Sequence, residues 1–232
     1  MQVRRIADLS VTLDGDTPVY PGDPAPHVAV HATLARDGYN LLALRLGSQT
    51  GTHVDAPFHV DDAGSRIDAM DLRLFAGPAV VVDAAGAAGP GGLAAGQAIG
   101  WDAFDAVRDR LRPGTIVLLR TGWDAHWGTP AYYTHPHLDP AACERLLATG
   151  VRTLLLDGLN PDPTPGPGDP PAEFPVHRMI AEVGGVIGEN LRGLDAVTWP
   201  EPFVTAFPLR LRDGDGAPVR AVAMELAPEP SP

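Results

Sequence analysis

The sequence predicts an α/β fold, a sizeable mixed sheet with flanking helices. Three observations carry that expectation. Continuous apolar runs at residues 79–83, 115–119 and 153–156 have the pattern of strands buried on both faces. Segments with helical spacing or helix-start chemistry alternate with them. Finally, 26 glycines and 25 prolines among 232 residues supply many turns without reaching low-complexity composition.

Taken in order, residues 6–13 start a strand, and Asp14-Gly15-Asp16 and Tyr20-Pro21-Gly22-Asp23 are turns. Residues 27–34 alternate as a strand does, and 39–46 form a second apolar run. The buried strand 79–83 leads to a glycine- and alanine-rich loop, 86–96. Residues 101–111 carry apolar side chains at 101, 104, 107 and 111, a helical spacing stopped by Pro113-Gly114. After the strand 115–119, Asp139-Pro140 opens a helix that ends at Gly150. The strand 153–156 precedes a proline loop, 160–171. A helix at 174–183 stops at Gly184-Gly185 before a strand at 186–188, and 204–211 with 218–226 read as a hairpin turned at Asp213-Gly214-Asp215-Gly216.

The length suits a single domain over 1–232, which would bury roughly 70–75% of the surface of its unfolded chain. Net charge is −12, and every one of the 17 cations is arginine. With no basic stripe, that balance repels phosphate backbones and argues against nucleic-acid binding. Cys143 stands alone, which excludes an internal disulfide framework and a thiolate-rich zinc cluster. Arg4 and Arg5 are followed by no apolar core of the kind a signal peptide needs. Asp83 interrupts the most apolar stretch, 78–100, short of the ~18 residues of a membrane span. The expectation is a cytoplasmic protein with a small-molecule partner and no membrane.

The densest chemical signal is Gln49-Thr50-Gly51-Thr52-His53-Val54-Asp55-Ala56-Pro57-Phe58-His59. In extended backbone Gln49, His53 and Asp55 share a face, and Gly51 between them leaves room for an ion or ligand. An imidazole and a carboxylate two residues apart suit a divalent cation. Histidines at such spacing also occur as ordinary strand-surface residues, and the pattern alone leaves both readings open.

This segment resembles the signature His-x-Gly-Thr-His-x-Asp-x-Pro-x-His of the cyclase family that includes bacterial-type kynurenine formamidase and isatin hydrolase. Only the first position departs, with Gln49 in place of histidine. Asp8-Leu9-Ser10 and Thr17-Pro18-Val19-Tyr20-Pro21-Gly22-Asp23 are similar to the family's opening. His177 and Glu189, the latter in Glu189-Asn190-Leu191, match its distal ligand pair. The resemblance implies a swivelling β/β/α domain, assembled as a homodimer or homotetramer. It implies zinc or manganese, one or two ions per subunit, on His53, Asp55, His177 and Glu189, with Asp55 and Glu189 as potential bridges. His59 is implied as acid/base and Tyr20 as a substrate contact, and the activity as hydrolysis of a small amide, formamide, cyclic imide or lactone.

Gln49 is the departure with consequences. An amide oxygen is a harder, weaker ligand than imidazole, so it favours manganese or fewer ions, or it binds water or substrate instead. Trp123 lies in an aromatic loop with Trp127, Tyr132 and Tyr133 that can close a pocket, and it is a second candidate for stacking on an aryl substrate. Two further readings use the same residues: a cyclase or dehydratase of secondary metabolism, and a non-catalytic binder whose metal site has decayed. His27 and His31 read as structural, and Cys143 as a small core hydrophobe. Ser10, Ser48 and Ser65 lie in no nucleophile elbow, which disfavours a serine hydrolase.

Overall fold

Among the described residues thirteen strands form: β1 (Gln2–Asp8), β2 (His27–Ala32), β3 (Leu41–Arg45), β4 (His53–Asp55), β5 (Ala76–Asp83), β6 (Ala98–Ile99), β7 (Ile116–Arg120), β8 (His137–Leu138), β9 (Thr153–Leu156), β10 (Val186–Glu189), β11 (Pro202–Thr205), β12 (Gly216–Pro218) and β13 (Val222–Ala227). The α-helices are α1 (Leu34–Asp37), α2 (Ala84–Ala87), α3 (Pro140–Ala148) and α4 (Pro175–Glu182). These come from a computed structural model that describes residues 1–89, 91–166 and 168–228. Pro90 and Pro167, one in each predicted loop 86–96 and 160–171, and residues 229–232 of the expected domain lie outside the described residues.

A nine-stranded mixed sheet runs in the order β1-β13-β11-β5-β7-β9-β10-β4-β12. Its centre, β5-β7-β9-β10, is parallel, and antiparallel strands extend it on both sides. The apolar runs sit in that centre because it is covered on both faces. Ile116, Leu118 and Leu155 join one core with Leu9, Leu191 and Trp199. Their neighbours Val117, Leu119, Leu154 and Leu156 point to the other face, against Cys143 and Leu146 of α3 and Val176 and Ile180 of α4. Alternate side chains of one strand therefore fill two cores, the reason such strands read as unbroken hydrophobic runs. Each fully buried leucine contributes roughly 1.5–3 kcal/mol relative to an exposed one. The result is the expected α/β fold, a large mixed sheet with few helices.

Several expectations shift. The helix predicted at 101–111 is a 3-10 helix, Trp101–Arg110, with Phe104 and Val107 buried. Apolar residues at 101, 104 and 107 are three apart, which suits a turn of three residues better than one of 3.6. The first strand starts at Gln2 and ends at Asp8, because residues beyond it turn inward and Ser10 bridges Leu191. The predicted C-terminal hairpin is shorter. β11 does pair with β13, but residues between them leave that edge and β12 pairs with β4 at the far side of the sheet. A hairpin turn is the local solution for Asp213-Gly214-Asp215-Gly216, and the unpaired edge of β4 outcompetes it. The strands β2 and β3 form a separate two-stranded sheet. Among the described residues no helix is long and apolar enough to cross a membrane.

Candidate metal centre

β4 is three residues long and fully buried. Val54 points into the core shared with Leu9 and Leu118. His53 and Asp55 therefore face the opposite side, where α4 packs. On the neighbouring β10, the antiparallel register sets Glu189 opposite His53 and Gly188 opposite Val54. A Cβ on Gly188 would meet Leu155 Cδ2 at 2.3 Å, so any larger residue here would have to push that core side chain aside. His177, buried on α4, completes the group.

The four side chains converge as two imidazoles across two carboxylates. His53 Nε2 lies 3.3 Å from Glu189 Oε2 and 3.5 Å from Asp55 Oδ1. His177 Nε2 lies 3.3 Å from Glu189 Oε1 and 3.6 Å from Asp55 Oδ2. Each ring is aimed from behind. His53 Nδ1 donates to Gly51 O at 2.8 Å and His177 Nδ1 to Asp162 Oδ2 at 2.7 Å, which directs both Nε2 atoms at the carboxylates. Burial alone would lower the His53 pKa, but its hydrogen bond to Glu189 and the Asp55 charge outweigh it and raise the value to about 9. Burial would likewise raise Glu189, and the two histidines pull it below the usual carboxylate range instead.

This donor set fits a divalent cation. Both oxygens of Asp55 and Oε1 of Glu189 are buried without a hydrogen-bond donor. Ligand atoms of His53, Asp55 and Glu189 lie within 4.8 Å of one another, and so do those of Asp55, His59 and His177. Asp55 is common to both groups, the arrangement that two neighbouring ions would need.

Gln49 arrives differently from the expectation. The extended backbone covers only 53–55, and Gln49 sits in a turn before Gly51, whose φ is +68°. The space beside Gly51 is not a ligand cavity either: a Cβ there would meet Leu13 Cδ2 at 2.2 Å. Gln49 Nε2 donates to Asp215 Oδ2 at 2.9 Å and stands 3.2 Å from His59 Nδ1, leaving Oε1 buried and unpartnered. His59 Nδ1 is 3.4 Å from the same Asp215 oxygen. Burial lowers the His59 pKa, whereas Asp215 and the Asp55 charge raise it to a net upward shift. The hydrogen bond with His59 holds Asp215 well below the carboxylate range.

A cavity of about 480 Å³ opens over these residues. Tyr20, Phe58, Leu159 and Phe174 form its apolar walls, beside Gln49, His53, His59, His177 and Glu189. Phe174 holds a left-handed φ of 51° that places its ring 6.1 Å from Tyr20 and 5.3 Å from His177. A non-glycine residue in that region is strained, and such strain concentrates at functional sites. Trp123 is brought near but not to the cavity. It is buried against Tyr132 and Leu159, its Nε1 donating to Ala131 O at 3.1 Å. The aromatic loop thus packs behind the wall, where the Tyr132 hydroxyl donates to Asn190 Oδ1 at 2.8 Å. Asp162, Asp215 and Phe174 were not singled out from the sequence. Asp162 lies among loop prolines and Asp215 in an ordinary turn motif, and neither has a local pattern that marks it.

The Cyclase family model matches residues 7–163. Kynurenine formamidase of Geobacillus thermodenitrificans (strain NG80-2) is 32% identical over 94% of this chain and 97% of that protein. The kynurenine formamidase of Delftia acidovorans (strain DSM 14801 / SPH-1) is 31% identical over 97% and 99%. Among solved structures, an isatin hydrolase bound to the product analogue thioisatinate matches with a TM-score of 0.83 at 22% identity, over 95% of this chain and 92% of that one. Isatin hydrolase A from Labrenzia aggregata, bound to benzyl benzoate, matches with a TM-score of 0.81 at 25% identity, over 95% and 93%.

Proposed function

Because this chain belongs to the Cyclase family, we propose that it is a metal-dependent hydrolase of the amide C–N bond in a small aromatic formamide or cyclic imide, with a lactone open to the same chemistry. The observation that carries the reading is Asp55, whose two oxygens are buried with no donor between imidazoles aimed at them. A buried carboxylate in that state is costly, and a divalent cation is the partner that satisfies it.

We assign His53, Asp55, His177 and Glu189 as ligands, with Gln49 a further ligand through Oε1, the only atom Asp215 leaves free. Zinc or manganese, one or two ions per subunit, suits imidazole and carboxylate donors. When bound, the ion supplies Lewis acidity that polarises a carbonyl and eases deprotonation of water. His59 takes the proton of the attacking water as its oxygen bonds to the carbonyl carbon. The C–N bond breaks, and His59 returns that proton to the departing nitrogen, a role worth typically 10²–10⁴-fold. Tyr20 and Phe174 flank an aryl ring, and Trp123 acts from behind by supporting Leu159 and Tyr132. The exposed apolar face of the β2–β3 sheet, Val30, Leu42 and Leu44, supports assembly as a homodimer or homotetramer.

The test combines elemental analysis of protein prepared with zinc or manganese and a hydrolysis screen over aryl formamides, cyclic imides and lactones. Asp55→Ala and Glu189→Ala should lose metal while keeping the wild-type circular dichroism. Unchanged metal in both variants would refute the ligand assignment. A fully loaded wild type that turns over none of the three classes would refute the hydrolase reading.

A further inference from the structure

We infer that Asp215 is the positioning residue of His59, holding the ring proton on Nδ1 so that Nε2 is left as the accepting nitrogen. The role of His59 rests on the function proposed above; the geometry at Asp215 does not.

Asp215 is 156 residues from His59 in sequence, and strand pairing brings it there. It immediately precedes β12, whose Gly216 pairs with Asp55, and its own carbonyl accepts from Ala56 N at 2.8 Å. The carboxylate is therefore attached to the backbone that carries the centre. Gly216 keeps the approach tight: a Cβ there would stand 2.6 Å from Val54 O and 2.7 Å from Gln49 Nε2. Onto the one oxygen Oδ2 converge Gln49 Nε2 at 2.9 Å, Ser48 Oγ at 3.1 Å and His59 Nδ1 at 3.4 Å. An ionised carboxylate only accepts, so Gln49 must present its nitrogen and Ser48 its hydroxyl hydrogen.

Two partners compete for His59 Nδ1. The Gln49 amide, 3.2 Å away, could donate to a bare Nδ1, which would put the ring proton on Nε2 and disable it as a base. That arrangement would leave a nitrogen lone pair facing an anionic oxygen at 3.4 Å, which is repulsive. A protonated Nδ1 instead makes a charge-assisted hydrogen bond, roughly twice as strong as a neutral one. The Gln49 amide nitrogen is already engaged by the same oxygen at the shorter distance. The carboxylate therefore decides the tautomer. The His59 side chain is 30% exposed and its ring packs against His177, so the carboxylate is the charged group that faces Nδ1.

The experiment is a long-range proton–nitrogen NMR correlation of zinc-loaded protein labelled with ¹⁵N-histidine. The His59 ring is assigned by its disappearance in His59→Asn. In the wild type the neutral ring should show a protonated Nδ1 and an unprotonated Nε2. In Asp215→Asn the Nε2–H form should become the main or a comparable species. With an aryl formamide substrate and both proteins saturated with zinc, kcat in Asp215→Asn should fall roughly 10- to 100-fold while KM stays within about twofold. Asp215→Glu should recover part of kcat. An Nε2–H tautomer in the wild type, or an unaltered tautomer in Asp215→Asn, would overturn the assignment. Absence of turnover in the wild type would count against the proposed function alone, since the tautomer is read without substrate.

Discussion

Asp162→Asn changes one atom and should weaken both α4 and the metal centre. Asp162 is 1% exposed, and its carboxylate takes three donors: Oδ1 accepts from Val176 N at 2.9 Å, and Oδ2 accepts from His177 N at 3.0 Å and His177 Nδ1 at 2.7 Å. The helix begins at Pro175 after Phe174, which provides no side-chain cap. Asp162 thus caps α4 from the loop that precedes it and aims His177 at the same time. Asparagine offers one accepting oxygen and one NH₂ group. If the oxygen serves Val176, the NH₂ faces two His177 donors; if it serves His177, the Val176 N–H is stranded. At least one buried donor loses its partner, at about 1–3 kcal/mol, and the surviving bonds lose the strength that charge gave them. Together these give an expected loss of roughly 2–4 kcal/mol and a metal affinity weakened about 10- to 100-fold. Urea unfolding of the metal-free protein reads the first, and competition with a chelator the second. A variant within about 0.5 kcal/mol of wild type and with unaltered affinity would refute the reasoning.

Three further outcomes are expected. His59→Asn should cut turnover about 10²–10⁴-fold with metal content retained, measured by steady-state kinetics beside elemental analysis; loss of metal would make His59 a ligand. Gln49→His should raise zinc affinity or stoichiometry in equilibrium dialysis, because imidazole is the better zinc donor, and two tightly held zinc ions in the wild type would contradict it. Cys143 is fully buried and burial pushes its thiol up to about 12, so a thiol reagent at pH 8 should label it slowly in native protein and rapidly in denaturant. Fast native labelling would show that α3 opens.

Much of the site was legible because its first half is local. His53 and Asp55 sit two apart on one strand, so a single rule of side-chain alternation puts them on one face whatever the rest of the chain does. The buried centre of the sheet was legible for the same reason: strands covered on both faces must be apolar throughout. Where a local rule was stretched it failed. Extended backbone was expected to reach Gln49, but the positive φ of Gly51 turns the chain first, and Leu13 fills the space expected to be open.

What only the tertiary structure decided is which distant groups complete each interaction. His177 is aimed by Asp162, fifteen residues away, and His59 meets Asp215 across 156. Both partners come from segments whose composition signals a turn and nothing more. Their position follows from pairing: β4 is inserted between β10 and β12, and that register carries Glu189 to His53 and Asp215 to His59. Trp123 makes the complementary point, since its residue type suited a pocket wall while its packing against Tyr132 and Leu159 set it behind one. Sequence by itself determined the chemistry of the groups, because residue type and short spacing are local quantities. The pairing of strands far apart in the chain determined their neighbours, because that choice is made by the free energy of the whole sheet and its two cores.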